Sequence, residues 1–181
     1  MLLFAKNKSM YIHIESFTLE EVDALAELGK KTFLESHGHS AGSKDIQNYI
    51  DSHFNRSVLF KELNDPDTHL KKLLVDNQLA GYTKLVLNSS HSFSHSDPVA
   101  KFERLYILKE FYDLGLGKKL LAHTIDTAKE YNQKALWLFV WTENIRAFKF
   151  YQKKGFKIIG KHDFKISENH SNPNYIMLRE I

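Results

Sequence analysis

The stretch FYDLGLGKKLL, Phe111 to Leu121, sets Gly115 and Gly117 ahead of the lysine pair Lys118 and Lys119. A hydrophobic strand pattern precedes it and an amphipathic helix pattern follows. That combination suits an anion. The first N–H groups of a helix have no carbonyl partner and sit at the positive end of its dipole. Glycine lets the main chain approach a ligand without a Cβ in the way. The plain alternative is a glycine turn that only starts a helix, since short glycine motifs often match by chance.

Two known phosphate loops fail on spacing. A Walker A loop needs four residues between its glycines and then Lys-Ser/Thr, whereas here one residue separates the glycines and Lys119 follows Lys118. A dinucleotide fingerprint needs a third glycine or alanine three positions on, where Leu120 stands.

Downstream lies NIRAFKFYQKKGF, Asn144 to Phe156. Together the two stretches resemble the GNAT superfamily of acyl-CoA-dependent N-acetyltransferases. Tyr112 to Gly117 (YDLGLG) match both glycines of its Gln/Arg-x-x-Gly-x-Gly/Ala motif. Asn144, Ala147, Phe150, Tyr151, Gly155 and Phe156 match each fixed position of Asn-x-x-Ala-x-x-Phe-Tyr-x-x-x-Gly-Phe. Tyr112 departs from the pattern, standing where the family usually has Gln or Arg. GYTKL, ERLYILKEF and ALWLFVW are similar in particular to bacterial polyamine acetyltransferases of the PaiA type.

The resemblance implies acetyl-CoA as co-substrate, with its pyrophosphate held by the amides of Leu114, Gly115, Leu116, Gly117, Lys118 and Lys119. The two lysines add charge to the phosphates or are solvated surface. The strand before the loop would pair with pantetheine through Tyr106, Ile107 and Leu108, with an oxyanion donor near Ile107 or Leu108. Ala147 would let the pantetheine pass. Asn144 either hydrogen-bonds the cofactor or caps its helix. Tyr151 is the expected general acid for the departing sulfur, while Phe148 and Phe150 are assigned to the core. Glu103 is the expected base, or else a strand-end carboxylate paired with a lysine.

The expected acceptor is a primary amine, in first place a small polyamine. A peptide or protein amine, an amino-sugar, or a non-catalytic CoA-binding sensor module are the alternatives. A cationic amine would want carboxylates and aromatic faces, and Glu35, His37, His39 and Trp141 are offered for that site. Dimers are common in the family, which leaves a homodimer open.

The elements that must position these groups follow from patterning. Tyr11 to Phe17 reads as a strand, and Thr18 with Glu21 as a capping box. Leu19, Val22, Leu25, Leu28 and Phe33 then form a helical apolar face. A second helical region, from about Lys44 to Leu63, falls in two pieces. Asp76-Asn77 suits a tight hairpin between two strands. A polar Ser/His loop precedes a strand at Ala100 to Leu108, and a helix follows from about Gly115 to Tyr131. A buried strand, a helix capped by Gly155 and two strands, Phe156 to Ile166 and Tyr175 to Arg179, complete the chain. The expected fold class is mixed α/β in a single domain. The resemblance sharpens it to a central, mostly antiparallel sheet flanked by helices.

Composition narrows the partners. With no cysteine, disulfides, thiolate metal sites and a cysteine nucleophile are excluded. A net charge of +3 favours a small anion and is too slight for nucleic acid. No apolar run reaches the roughly 20 residues of a membrane span. The opening MLLFAKNKSM lacks a secretory signal, so a cytoplasmic location is expected. His91 and His95 are four apart but lack a third ligand, and no metal site is expected.

Overall fold

The computed structural model describes residues 10–94 and 96–181. Most of the MLLFAKNKSM opening and His95 lie outside them. The elements run β1 (Ile12–Ser16), α1 (Val22–His37), α2 (Ser43–His53), α3 (Arg56–Asn64), β2 (Thr68–Val75), β3 (Gln78–Val86) and β4 (Val99–Ile107). Then come α4 (Leu116–Glu130), β5 (Ala135–Trp141), α5 (Ile145–Lys153), β6 (Lys157–Lys165) and β7 (Ser171–Glu180).

Local signals in the sequence set several boundaries. The Thr18 N–H donates to Glu21 Oε2 at 2.9 Å, fixing the turn that leads into α1. Val22, Leu25, Leu28 and Phe33 of α1 are buried, but Leu19 lies in that preceding turn and stays exposed. Asn55 separates α2 from α3 and accepts the Val58 N–H at 3.0 Å as an N-cap. Asp76 and Asn77 hold φ of 48° and 66°, as the two-residue hairpin between β2 and β3 requires. β7 starts at Ser171, earlier than expected, because the polar run Ser171 to Asn174 pairs with β6.

One seven-stranded sheet has the order β1-β2-β3-β4-β5-β7-β6. Every neighbouring pair is antiparallel except β4–β5. That parallel pairing covers only Val99–Lys101 against Ala135–Trp137. Past Lys101, β4 keeps β3 on one side and, among the described residues, has no strand on the other, while β5 continues along β7 to Trp141. The sheet therefore opens between β4 and β5.

Two details shape the opening. The β3 partners step from Arg104 to Phe102, so Glu103 is the extra residue of a β-bulge, a feature that bends a strand and re-aims a side chain. Gly81 faces Ile107, and a Cβ there would come within 2.3 Å of the Tyr106 carbonyl oxygen. Only glycine permits β3 to lie this close behind β4.

Helices cover both faces of the sheet. On one, Leu121, Ile125 and Ala128 of α4 and Tyr151 of α5 pack on Phe102, Leu136, Leu138 and Met177. On the other, α1 and α3 pack through Val22, Leu25 and Leu59 on Leu70 and Tyr82. Phe33 joins Ile46, Ile50 and Phe54 where α1 meets α2.

Candidate active site

Gly115 is the N-cap of α4, with φ 72°. Asp113, two residues earlier, is also left-handed at φ 64°. Left-handed residues set within a turn can fold successive N–H groups into a concave anion site. The Tyr112 N–H bonds Lys109 O at 3.0 Å and the Lys118 N–H bonds Gly115 O at 3.1 Å. Between them, the amides of Asp113, Leu114, Gly115, Leu116 and Gly117 donate to no protein acceptor among the described residues. The expected cradle thus starts one residue earlier, and Lys118 has its amide engaged. A Cβ on Gly115 would meet nothing within 4 Å, so its positive φ, not space, demands glycine.

This loop opens onto a cavity of about 460 Å³. Tyr106, Ile107, Gly115, Leu116, Gly117, Lys118, Asn144, Ala147 and Tyr151 line it, together with Arg146 and Lys154. Leu114 and Lys119 are exposed and lie outside the lining. Leu108 is corrected: its side chain is buried with Phe17 and Tyr82, and its N–H donates to Ala80 O at 2.8 Å. Main-chain groups alternate sides along a strand. With Leu108 turned toward β3, those of Ile107 and Leu105 face the opening, and Tyr106 offers its ring rather than its amide.

The sequence reading missed Arg146. Its guanidinium lies 3.7 Å from the Tyr112 ring centroid and pairs with Asp113 at 3.1 Å. Tyr112, the departure from the family pattern, is thereby a platform that holds a cation from α5 beside the loop. Lys154, at the end of α5, adds another. Both cations stand in the motif's variable positions, so their types alone could have flagged them.

A second cavity of about 310 Å³ lies on the α1–α2 side of the opening. Its walls are largely aromatic, including Phe33, Tyr49, Phe139, Trp141 and Phe164. The two cavities share Leu105, Tyr106, Asn144, Ala147 and Tyr151. They meet where β4 and β5 part.

Tyr151 is 9% exposed and packs edge-on against Phe102, Phe150 and Phe156. It is more deeply buried than Phe148 and Phe150, the reverse of the expected ranking, because those two only border the core cluster. Burial raises its phenol pKa, so the proton stays on at neutral pH. The Asn144 Oδ1 accepts the Ala147 N–H at 3.1 Å, which makes it the cap of α5 while it also lines both cavities.

Glu103 lies in an ion network. Lys84 and Arg104 stand opposite each other on β3 and β4, an arrangement of like charges that needs a counter-ion. Glu62 of α3 supplies it, bonding Lys84 at 2.7 Å and Arg104 at 2.8 and 3.0 Å. Glu103 then takes Lys84 at 2.8 Å and Lys101 at 3.1 Å, with Arg104 at 3.7 Å. Burial alone would raise its pKa, but the cations Lys84, Lys101 and Arg104 outweigh it and hold the carboxyl at about 2. A proton acceptor works best near the operating pH. Glu103 therefore acts as a counter-charge, and the expected base role is revised.

The expected acceptor residues divide. His37 and Trp141 line the aromatic cavity. Burial, with His39 beside it, pulls the His37 ring down to about 4, so it is neutral at pH 7. His39 packs on Trp141 from outside, with ring centroids 5.3 Å apart. Glu35 turns the other way and accepts the Lys109 N–H at 2.8 Å.

A model of the acetyltransferase (GNAT) family matches residues 23–156. The chain belongs to the GNAT family. This GNAT chain is 25% identical over 158 residues to an uncharacterized N-acetyltransferase of Lactobacillus delbrueckii subsp. lactis, covering 87% of this chain and 91% of that one. It is 24% identical over 153 residues to the spermidine N(1)-acetyltransferase of Thermoplasma acidophilum, covering 82% and 90%. Among solved structures, the PaiA N-acetyltransferase of Thermoplasma acidophilum in complex with coenzyme A shares the fold. The TM-score is 0.75 at 21% identity, over 94% of this chain and 99% of that one. As a GNAT enzyme the protein is an acetyl-CoA-dependent N-acetyltransferase, and the unpartnered amides from Asp113 to Gly117 fit a diphosphate.

Proposed function

We propose that the protein moves the acetyl group of acetyl-CoA directly onto the primary amine of a small acceptor held in the aromatic cavity. The observation that carries this reading is the meeting of the two cavities at Tyr151. The amides of Asp113 to Gly117, with Arg146 and Lys118, bind the pyrophosphate. Leu105 and Ile107 pair with pantetheine along the free side of β4.

The acceptor must lose a proton to become nucleophilic. The cations around the second cavity disfavour the ammonium and favour the neutral amine. Its nitrogen attacks the thioester carbonyl, forming the C–N bond as the carbonyl electron pair moves to oxygen. The Ile107 N–H stabilises that oxyanion. The C–S bond then breaks, its electron pair leaves with sulfur, and the Tyr151 hydroxyl protonates the thiolate. The proton shed by nitrogen returns to the phenolate through water. The products are an N-acetylated amine and free CoA thiol.

Relatives named for spermidine and spermine support a polyamine acceptor. The charge of the cavity supports a different one. Thiol release from acetyl-CoA across a panel of primary amines tests the transfer itself. Amine-dependent release is expected. Binding of acetyl-CoA without turnover of any amine would favour a CoA-binding module instead.

A further inference from the structure

Resting on that reading, we infer that the acceptor carries an acidic group at a distance from its amine, as an extended ω-amino acid does. The cavity is built for such a molecule in three respects.

Its charge balance is positive. Lys84, Lys101 and Arg104 face Glu62 and Glu103 in one linked network, three cations to two carboxylates. Glu103 is the single carboxylate among the lining residues, and cations already engage both its oxygens. A polyamine would bring several positive charges to a wall that has no free acid to meet them. That wall instead calls for an anion.

Lys101 has donors to spare. It lines the cavity with its side chain 23% exposed and uses one contact on Glu103. Its ammonium is 5.4 Å from the Phe139 ring centroid, so an aliphatic chain resting on that ring would end beside it. A carboxylate there gains a charge-assisted hydrogen bond.

The spacing favours a long acceptor. Lys101 precedes Leu105, at the junction of the cavities, by four residues, one of them the Glu103 bulge, which leaves about 10 Å at an extended rise. The lysine leans toward Glu103 and closes part of that span. A molecule whose amine and carboxylate share one carbon leaves much of that span unfilled. One with several methylenes between them fills it, with the chain lying on Phe139 and Phe164.

The test compares 5-aminopentanoate, 1,5-diaminopentane and pentylamine, which differ only at the far end. Thiol release is followed at saturating acetyl-CoA for the native protein and for Lys101→Glu. For the native protein, kcat/KM for the amino acid is expected to exceed that for the diamine at least tenfold. Lys101→Glu is expected to shift that ratio toward the diamine at least tenfold. Should the charge reversal unfold the protein, Lys101→Gln is expected to reduce the amino acid's advantage over pentylamine instead. Equal or better turnover of the diamine by native protein, or ratios untouched by either variant, overturns the inference while leaving amine transfer standing. No turnover of any amine, with acetyl-CoA still bound by calorimetry, removes the transfer reading and this inference with it.

Discussion

The Arg146 guanidinium stacks on the Tyr112 ring, 3.7 Å from its centroid, and so brings a charge from α5 to the glycine loop that begins α4. Such a stacked cation contributes roughly 0.5–1 kcal/mol by itself. Its hydrogen bonds to a phosphate would add about 1.5–3 kcal/mol. Arg146→Ala is therefore expected to raise KM for acetyl-CoA about tenfold and to change kcat little. Tyr112→Ala should act in the same direction and more weakly, since the arginine remains but loses its platform. Steady-state kinetics and calorimetric titration with CoA check both.

Tyr151→Phe removes one oxygen from a ring packed on three aromatic neighbours. The packing survives, so acetyl-CoA affinity should hold. A positioned acid contributes roughly 10²–10⁴-fold to rate, and a fall in kcat of about 100-fold is expected. Rapid-mix measurement of the transfer step distinguishes this from slowed product release.

Acid should destabilise the fold in two stages. His37 is held at about 4 against an ordinary 6.5. Between those values the unfolded chain binds a proton that the folded chain refuses, so stability falls as pH drops from about 6.5 to about 4. The full effect is about 3 kcal/mol. Glu103 acts lower: with its folded pKa depressed to about 2, its contribution is present above about 4.5 and is lost as pH falls toward 2. Native protein should lose about 5–10 °C of melting temperature between pH 7 and 4.5. His37→Phe, which keeps the ring stack and cannot titrate, should lose less over that interval.

The parts of the fold legible in the sequence are those whose cause is local. Asp76-Asn77 announces the hairpin because few other residues tolerate two consecutive positive φ angles. Gly155, at φ 84°, ends α5 for the same reason. The amides of the Gly115 loop were legible from strand, glycines and helix in succession. What escaped depends on partners far apart in the chain. Leu108 looks like its strand neighbours, and only the Ala80 carbonyl across β3 shows that its amide is engaged. Glu103 read as a base until Lys84, nineteen positions away, and the bulge beside Arg104 turned it into a counter-charge. The positive charge around the aromatic cavity has the same origin, since Glu62, Lys84, Lys101 and Arg104 come from α3, β3 and β4.

The structure of the protein bound to CoA tests the central claim most directly. The account predicts pyrophosphate oxygens within about 3 Å of the amides between Asp113 and Gly117, as N–H···O bonds require, and the CoA sulfur beside the Tyr151 hydroxyl. A nucleotide bound elsewhere, or a sulfur seated out of reach of that hydroxyl, would contradict it.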